Sequence, residues 1–139
     1  MATQPASRWQ VRDDFSYHPR HHWCREQADG VLMGVTDYTQ ERAGDILYVS
    51  LPVPGETVRA GEPMGSIESG KWVGQLYAPV SGVVVAVNER VAADPRLLNR
   101  DPYEAGWIAV IRPDAAGSLD ALWDADRYRA ALEEMAEDL

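Results

Sequence analysis

The sequence holds one cysteine, one phenylalanine and one lysine in 139 residues. A single cysteine excludes an internal disulfide and any metal site built from several thiolates. No apolar run approaches the roughly 20 residues that a membrane-spanning helix needs. Positive charge is scarce as well. Thirteen basic residues stand against 22 acidic ones, and the net charge of −9 argues against a protein that coats nucleic-acid phosphates. An acidic surface suits docking on basic patches of partner proteins and steers such encounters. The opening stretch, MATQPASRWQVRDDF, lacks the apolar segment of a signal peptide, so a cytoplasmic protein is expected.

The shortage of lysine carries the most information. Every basic residue but one is arginine, and the exception is Lys71. A guanidinium stays protonated and is a poor nucleophile, whereas a lysine amine can lose its proton and be acylated. Lys71 also sits at a singular place. Met64 to Ser69 alternate with period 2, Val73 to Tyr77 resume an extended run, and Ser69-Gly70-Lys71 between them reads as a tight turn, with Gly70 supplying any left-handed geometry. Gly61 and Gly82 close turns at the far ends of the two strands. The lysine is thus expected at the tip of a near-symmetric hairpin. Trp72 beside it is a large aromatic at a turn tip: it either docks on a partner, covers what Lys71 carries, or folds back over its own hairpin.

The rest of the chain, 45% hydrophobic, reads as one compact domain over residues 15–139 behind a loose tail at residues 1–14. Strands are expected at His22 to Arg25, Val31 to Val35 after an Asp29-Gly30 turn, Glu56 to Arg59, Val83 to Val87 and Trp107 to Ile111, with Ile46 to Leu51 as a buried strand. Thr36 to Ala43 fits a short helix capped by Asp37 and ended by Gly44. Val91 to Leu98 reads as one helical piece around Pro95. The C-terminal part is helical in two pieces, capped by Ser118 or Asp120 and by Asp126. Leu119, Leu122, Trp123, Tyr128, Leu132, Met135 and Leu139 form its apolar stripe. Short strands between Gly and Pro turns imply a mainly β sandwich or barrel with a short internal helix and C-terminal helices.

His18, His21, His22 and Cys24 crowd one region, but no carboxylate is fixed beside them by sequence, and neither a metal nor a catalytic residue is assigned there. A phosphate loop, GxSxG and HExxH are all absent.

Glu68-Ser69-x-Lys71, Tyr77-Ala78-Pro79-Val80-Ser81-Gly82 and Val85-Ala86-Val87-Asn88 together resemble the H protein of the glycine cleavage system and its lipoyl-carrier relatives. Asn99-x-x-Pro102-Tyr103-x-x-Gly106-Trp107 and His21-x-Trp23 extend the likeness from Tyr17 to about Tyr128. The resemblance implies a barrel-sandwich hybrid fold, lipoate in amide linkage on Lys71, and a carrier without turnover of its own. Three departures mark the chain: His22 where the family usually has glutamate, Gly70 where it has valine, and Trp72 where it has alanine. The tip Gly70-Lys71-Trp72-Val73-Gly74 resembles the lipoate-binding proteins of sulfur-oxidising bacteria, which work with a heterodisulfide-reductase-like complex. On that likeness sulfur is the expected cargo, with the aminomethyl group of glycine cleavage as the alternative. The expected partners are a lipoate ligase or lipoyl transferase and either client system, met by a monomer. Glu68, Ser69, Gly70, Trp72 and His22 are expected to form the surroundings of the arm and the docking site. A biotin carrier fits poorly, because Lys71 lacks flanking methionines.

Overall fold

The computed structural model describes residues 9–137. Its larger sheet is antiparallel, in the order β1 (Ser16–His18), β2 (His22–Gln27), β3 (Gly30–Val35), β9 (Ala109–Pro113), β8 (Gly82–Val87) and β5 (Thr57–Val58). A smaller sheet sets β6 (Pro63–Ser69) between β4 (Ile46–Ser50) and β7 (Val73–Tyr77). The period of two along β3 and β9 explains the layering. Val31, Met33, Ala109 and Ile111 face one core, shared with Ile46, Ile67 and Leu76 of the smaller sheet. Leu32 and Val110 face the opposite side, where Trp9, Phe15, Tyr17, Trp23, Tyr103, Tyr128 and Leu132 pack. Both faces of the large sheet are therefore buried, and the C-terminal helix α4 (Ala125–Glu137) covers the second. Tyr17 stacks on Tyr128 at 4.5 Å, and its backbone bonds Trp123 in both directions.

The family-like segments are structural clamps. The indole N–H of Trp23 donates to the Pro102 carbonyl at 2.9 Å. Asn88 donates to the carbonyls of Ala105 and Trp107 and, through its side-chain oxygen, caps helix α2 (Glu89–Ala93).

Several local expectations change. Residues 1–8 lie outside the described residues, but the chain from Trp9 onward is not loose: Trp9 is buried, and the Gln10 N–H donates to Asp37. Asp37 is consequently not the cap of helix α1 (Asp37–Ala43), whose N-cap is Thr36. β4 is an edge strand in which only Ile46 is buried, so an apolar run here marks exposure of Leu47 and Tyr48 rather than burial. Helix does not continue through Pro95, which lacks an N–H to donate; α2 is followed by a separate turn of helix, α3 (Leu97–Arg100). The last strand begins two residues later than expected, at Ala109. The short 3-10 turn Ser118–Ala121 has Gly117 before it, and the Arg127 N–H is accepted by Asp124 rather than Asp126. Tyr128 and Leu132 of the apolar stripe are fully buried, and Leu139 lies outside the described residues.

Candidate functional site

Lys71 stands, as expected, at the connection between β6 and β7, and its side chain is exposed. The turn is held from inside. Ser69 is buried; its backbone N–H donates to the Trp72 carbonyl at 2.8 Å, and its hydroxyl accepts the Lys71 N–H at 3.3 Å. The lysine backbone is thereby fixed while its side chain extends outward. Gly70 does not need a left-handed backbone, and a Cβ there would meet nothing within 4 Å. The glycine at this position is thus not demanded by the turn.

The lysine stem passes over the end of α1. Gly44 closes that helix with φ of 75°, and a Cβ on it would lie 3.1 Å from the Lys71 Cε and 3.7 Å from its Nζ. Asn99 holds this corner: its side chain accepts the Ile46 N–H at 2.9 Å and donates to the Gly44 carbonyl at 2.8 Å. The first residue of the Asn99 motif therefore sets the floor beneath Lys71.

Trp72 does not project from the tip. Its ring lies back on Gly74, so closely that a Cβ there would fall 2.0 Å from the ring, and it packs against the inter-sheet core. Of the roles open to it in sequence, the structure takes the fold-back: a glycine two residues on leaves the space, and burying the ring removes apolar surface from water. Glu68, by contrast, is exposed between Tyr48 and Val73, which are its neighbours across the smaller sheet. Tyr48 and Val73 are each 66% exposed, so this row presents a glutamate flanked by apolar side chains next to the lysine.

His22 is buried at 2% exposure, so it is not part of the exposed surface around the tip. Its Nε2 accepts the Tyr77 N–H at 2.8 Å, so one ring of the large sheet is tied to the backbone of the small one. Burial lowers its pKa to about 3, with His18 and His21 adding to the effect, and the ring is neutral near pH 7. His21 is lowered to about 4, also mainly by burial, and its Nδ1 meets the Tyr128 hydroxyl at 2.8 Å. Cys24 is fully buried, and burial pushes its thiol up to about 12, which leaves it unreactive. Among the described residues no group of three His, Cys, Asp or Glu side chains is arranged to hold a metal ion.

Beside the tip runs a groove of about 550 Å³ between α1 and β7. His22, Trp72 and Tyr77 line it, together with Arg20, Arg42 and Gln75. Sequence reasoning passed over the two arginines, which lie 22 positions apart and carry no motif. The faint signal was basic charge near both ends of the segment Arg20–Arg42 in an otherwise acidic chain.

Residues 15–135 match the glycine cleavage H-protein family. The glycine cleavage system H protein of Anaeromyxobacter sp. (strain K) is 41% identical over 125 residues, covering 90% of this chain and 98% of the relative. That of Myxococcus xanthus (strain DK1622) is 45% identical over 123 residues, covering 88% and 95%. A crystal structure of a glycine cleavage system H protein from Mycobacterium marinum superposes with a TM-score of 0.79 at 39% identity, over 87% of this chain and 98% of that one.

Proposed function

Because the chain belongs to the glycine cleavage H-protein family, a family of lipoyl carriers without catalytic activity of their own, we propose that Lys71 is the attachment point of its lipoyl group. The observation that carries the assignment is the sole lysine of the chain, exposed at a turn whose backbone is fixed by the buried Ser69. The residues fit an acylated lysine. Nothing in the turn pairs with the amine, and Gly44 leaves room for the stem to lie flat. When bound, the group supplies a dithiol–disulfide couple on a flexible stem. The protein's part is to hold the attachment point rigid, so that the range of the stem is set by one exposed side chain.

The names of the relatives favour the glycine cleavage enzymes as clients, with the aminomethyl group as cargo. This reverses the order drawn from the Gly70–Gly74 tip. Sulfur cargo stands second, on one specific observation: among the described residues the groove beside the lysine has two arginines and no carboxylate. Glu68, Gly70 and Val73, exposed around the tip, are the residues proposed to meet a ligase or client enzyme. Ser69 and His22 act from within the fold.

Intact-mass spectrometry of protein from the native host tests the assignment. One lipoyl addition is expected, and none in Lys71→Arg; unmodified native protein would overturn it. Glycine-dependent exchange with glycine decarboxylase then separates the clients. Exchange at the level of an ordinary H protein supports the first reading, and its absence with fully lipoylated protein supports the second.

A further inference from the structure

The smaller sheet ends in two unlike edges. β4 is blunted: its Ile46 N–H is accepted by Asn99, and its register with β6 shifts between Ile46 and Tyr48. β7 has no such protection. β6 pairs with one side of it, no strand pairs with the other, and Val73–Tyr77 holds neither proline nor a charged residue. Two hydrogen bonds give the direction of its backbone. The Trp72 carbonyl accepts the Ser69 N–H, so Trp72, Gly74 and Leu76 turn their N–H and C=O groups toward β6. Tyr77 turns the other way and gives its N–H to the His22 ring. By the period of two, Gln75 and Val73 share the side of Tyr77. Both are exposed, and among the described residues no hydrogen-bond partner meets their outward N–H and C=O groups.

The open edge faces the groove between β7 and α1, whose far wall holds Tyr38 and Arg42. Arg42 lies over the Tyr38 ring at 5.9 Å and Arg20 over the Tyr77 ring at 4.9 Å, so aromatic faces hold both cations beside the edge. Among the described residues neither guanidinium has a carboxylate within 4.0 Å, in a chain of net charge −9. Unpaired positive charge beside the free donors and acceptors of a strand selects an extended chain with acidic side chains. A second copy of this chain fits poorly. Two β7 edges paired about a twofold axis would bring the arginines of both copies together.

We propose that the free edge of β7 is a strand-addition site, taken by a short acidic segment of a partner protein in extended conformation. The backbone of the segment pairs with Val73 and Gln75, and its carboxylates meet Arg20 and Arg42. The His22 ring sets the length of the site, because the next outward N–H, that of Tyr77, is already taken. The edge starts two residues after Lys71, so a protein docked through this segment is held beside the tip. The pairing itself does not depend on what the lysine carries.

The test titrates the full-length chain, its state at Lys71 fixed by intact mass, with the peptide acetyl-Glu-Val-Glu-Val-Glu-amide. Two controls are the same peptide N-methylated at every backbone nitrogen, and its counterpart with lysine in place of glutamate. Two-dimensional amide NMR is expected to show saturable shifts centred on Val73 and Gln75. Amide exchange should slow at least tenfold at both residues and stay unchanged at Tyr77. The N-methylated peptide keeps the carboxylates but has no N–H to donate. It and the lysine peptide should each bind at least tenfold more weakly. Arg20→Gln with Arg42→Gln should bring the acidic and basic peptides to equal affinity, while protection at Val73 and Gln75 persists. Equal binding of the N-methylated peptide would reduce the site to an anion patch and overturn the proposal. Equal binding of the lysine peptide to the parent, or shifts centred elsewhere, would overturn it too. So would protection at this edge that grows with protein concentration alone, which would make a second copy the occupant. Failure here leaves the attachment site on Lys71 standing, because the mass-spectrometric test reads that separately.

Discussion

Trp72 and Gly74 form one device at the residue scale. A methyl at Gly74 would occupy the space of the Trp72 ring, and the ring is the part that can swing away. Gly74→Ala should therefore eject the indole and not disrupt β7, shifting Trp72 fluorescence toward the exposed value. Gly74→Ala and Trp72→Ala each remove the same contact. Each is expected to cost about 1 kcal/mol, and the double variant little more than either, a coupling that a double-mutant cycle in urea reads directly. Gly70→Val makes the opposite case. With open space around the position and no left-handed φ, it should change stability by less than about 0.5 kcal/mol. If Gly70→Val alters the rate of lipoylation at unchanged stability, the residue is read by a partner and not by the fold.

At the scale of the element, the corner joining α1 to β4 decides where the arm starts. Asn99 satisfies one N–H and one carbonyl of that corner from α3, and among the described residues no other side chain bonds the Ile46 N–H. Asn99→Ala leaves both groups without this partner and should cost about 1–3 kcal/mol in chemical unfolding. It should also loosen Gly44 beneath Lys71, visible as faster amide exchange at residues 44–46 than in the parent. Asn99→Asp keeps the acceptor for Ile46 but loses the donor to Gly44, and an intermediate cost is expected. Unchanged stability and exchange in both variants would mean that the corner is held by the flanking helices alone.

His22 matters to the molecule as a whole, since its ring ties the two sheets together through the Tyr77 N–H. Its folded pKa, lowered to about 3 by burial, lies below the ordinary value of 6.5. Between those values the unfolded chain binds a proton that the folded chain refuses. Stability is accordingly full above about pH 7 and is lost as pH falls below 6.5, by up to about 1.4 kcal/mol per unit for this one ring. His21, lowered to about 4, steepens the loss over the upper part of the same window, and the nearby Arg20 and His18 push in the same direction. Urea unfolding at pH 7, 6 and 5 should show the decline, and His22→Gln should flatten it by about one proton. A variant with the parent's slope would show that other groups carry the acid sensitivity.

The sequence alone determined the hairpin, its lysine and the layered β architecture. Alternation from Met64 to Ser69 and from Val73 to Tyr77, punctuated by a turn, is local information, and a lone lysine among arginines is visible without coordinates. The clamps of Trp23, Asn88 and Asn99 were legible as motif positions, though not as the hydrogen bonds they make. The tertiary structure decided what depends on neighbours distant in the chain. Ile46–Ser50 is apolar enough to be central, yet it falls at a sheet edge because only β6 pairs with it. His22 has the composition of a surface residue and is buried because β7 crosses over it. Trp72 turns inward because Gly74 leaves it room. Arg20 and Arg42 meet in one groove because β7 and α1 flank it, a proximity no local pattern encodes. Periodicity reports how a segment can be buried; which segment arrives to bury it is set by the packing of the two sheets.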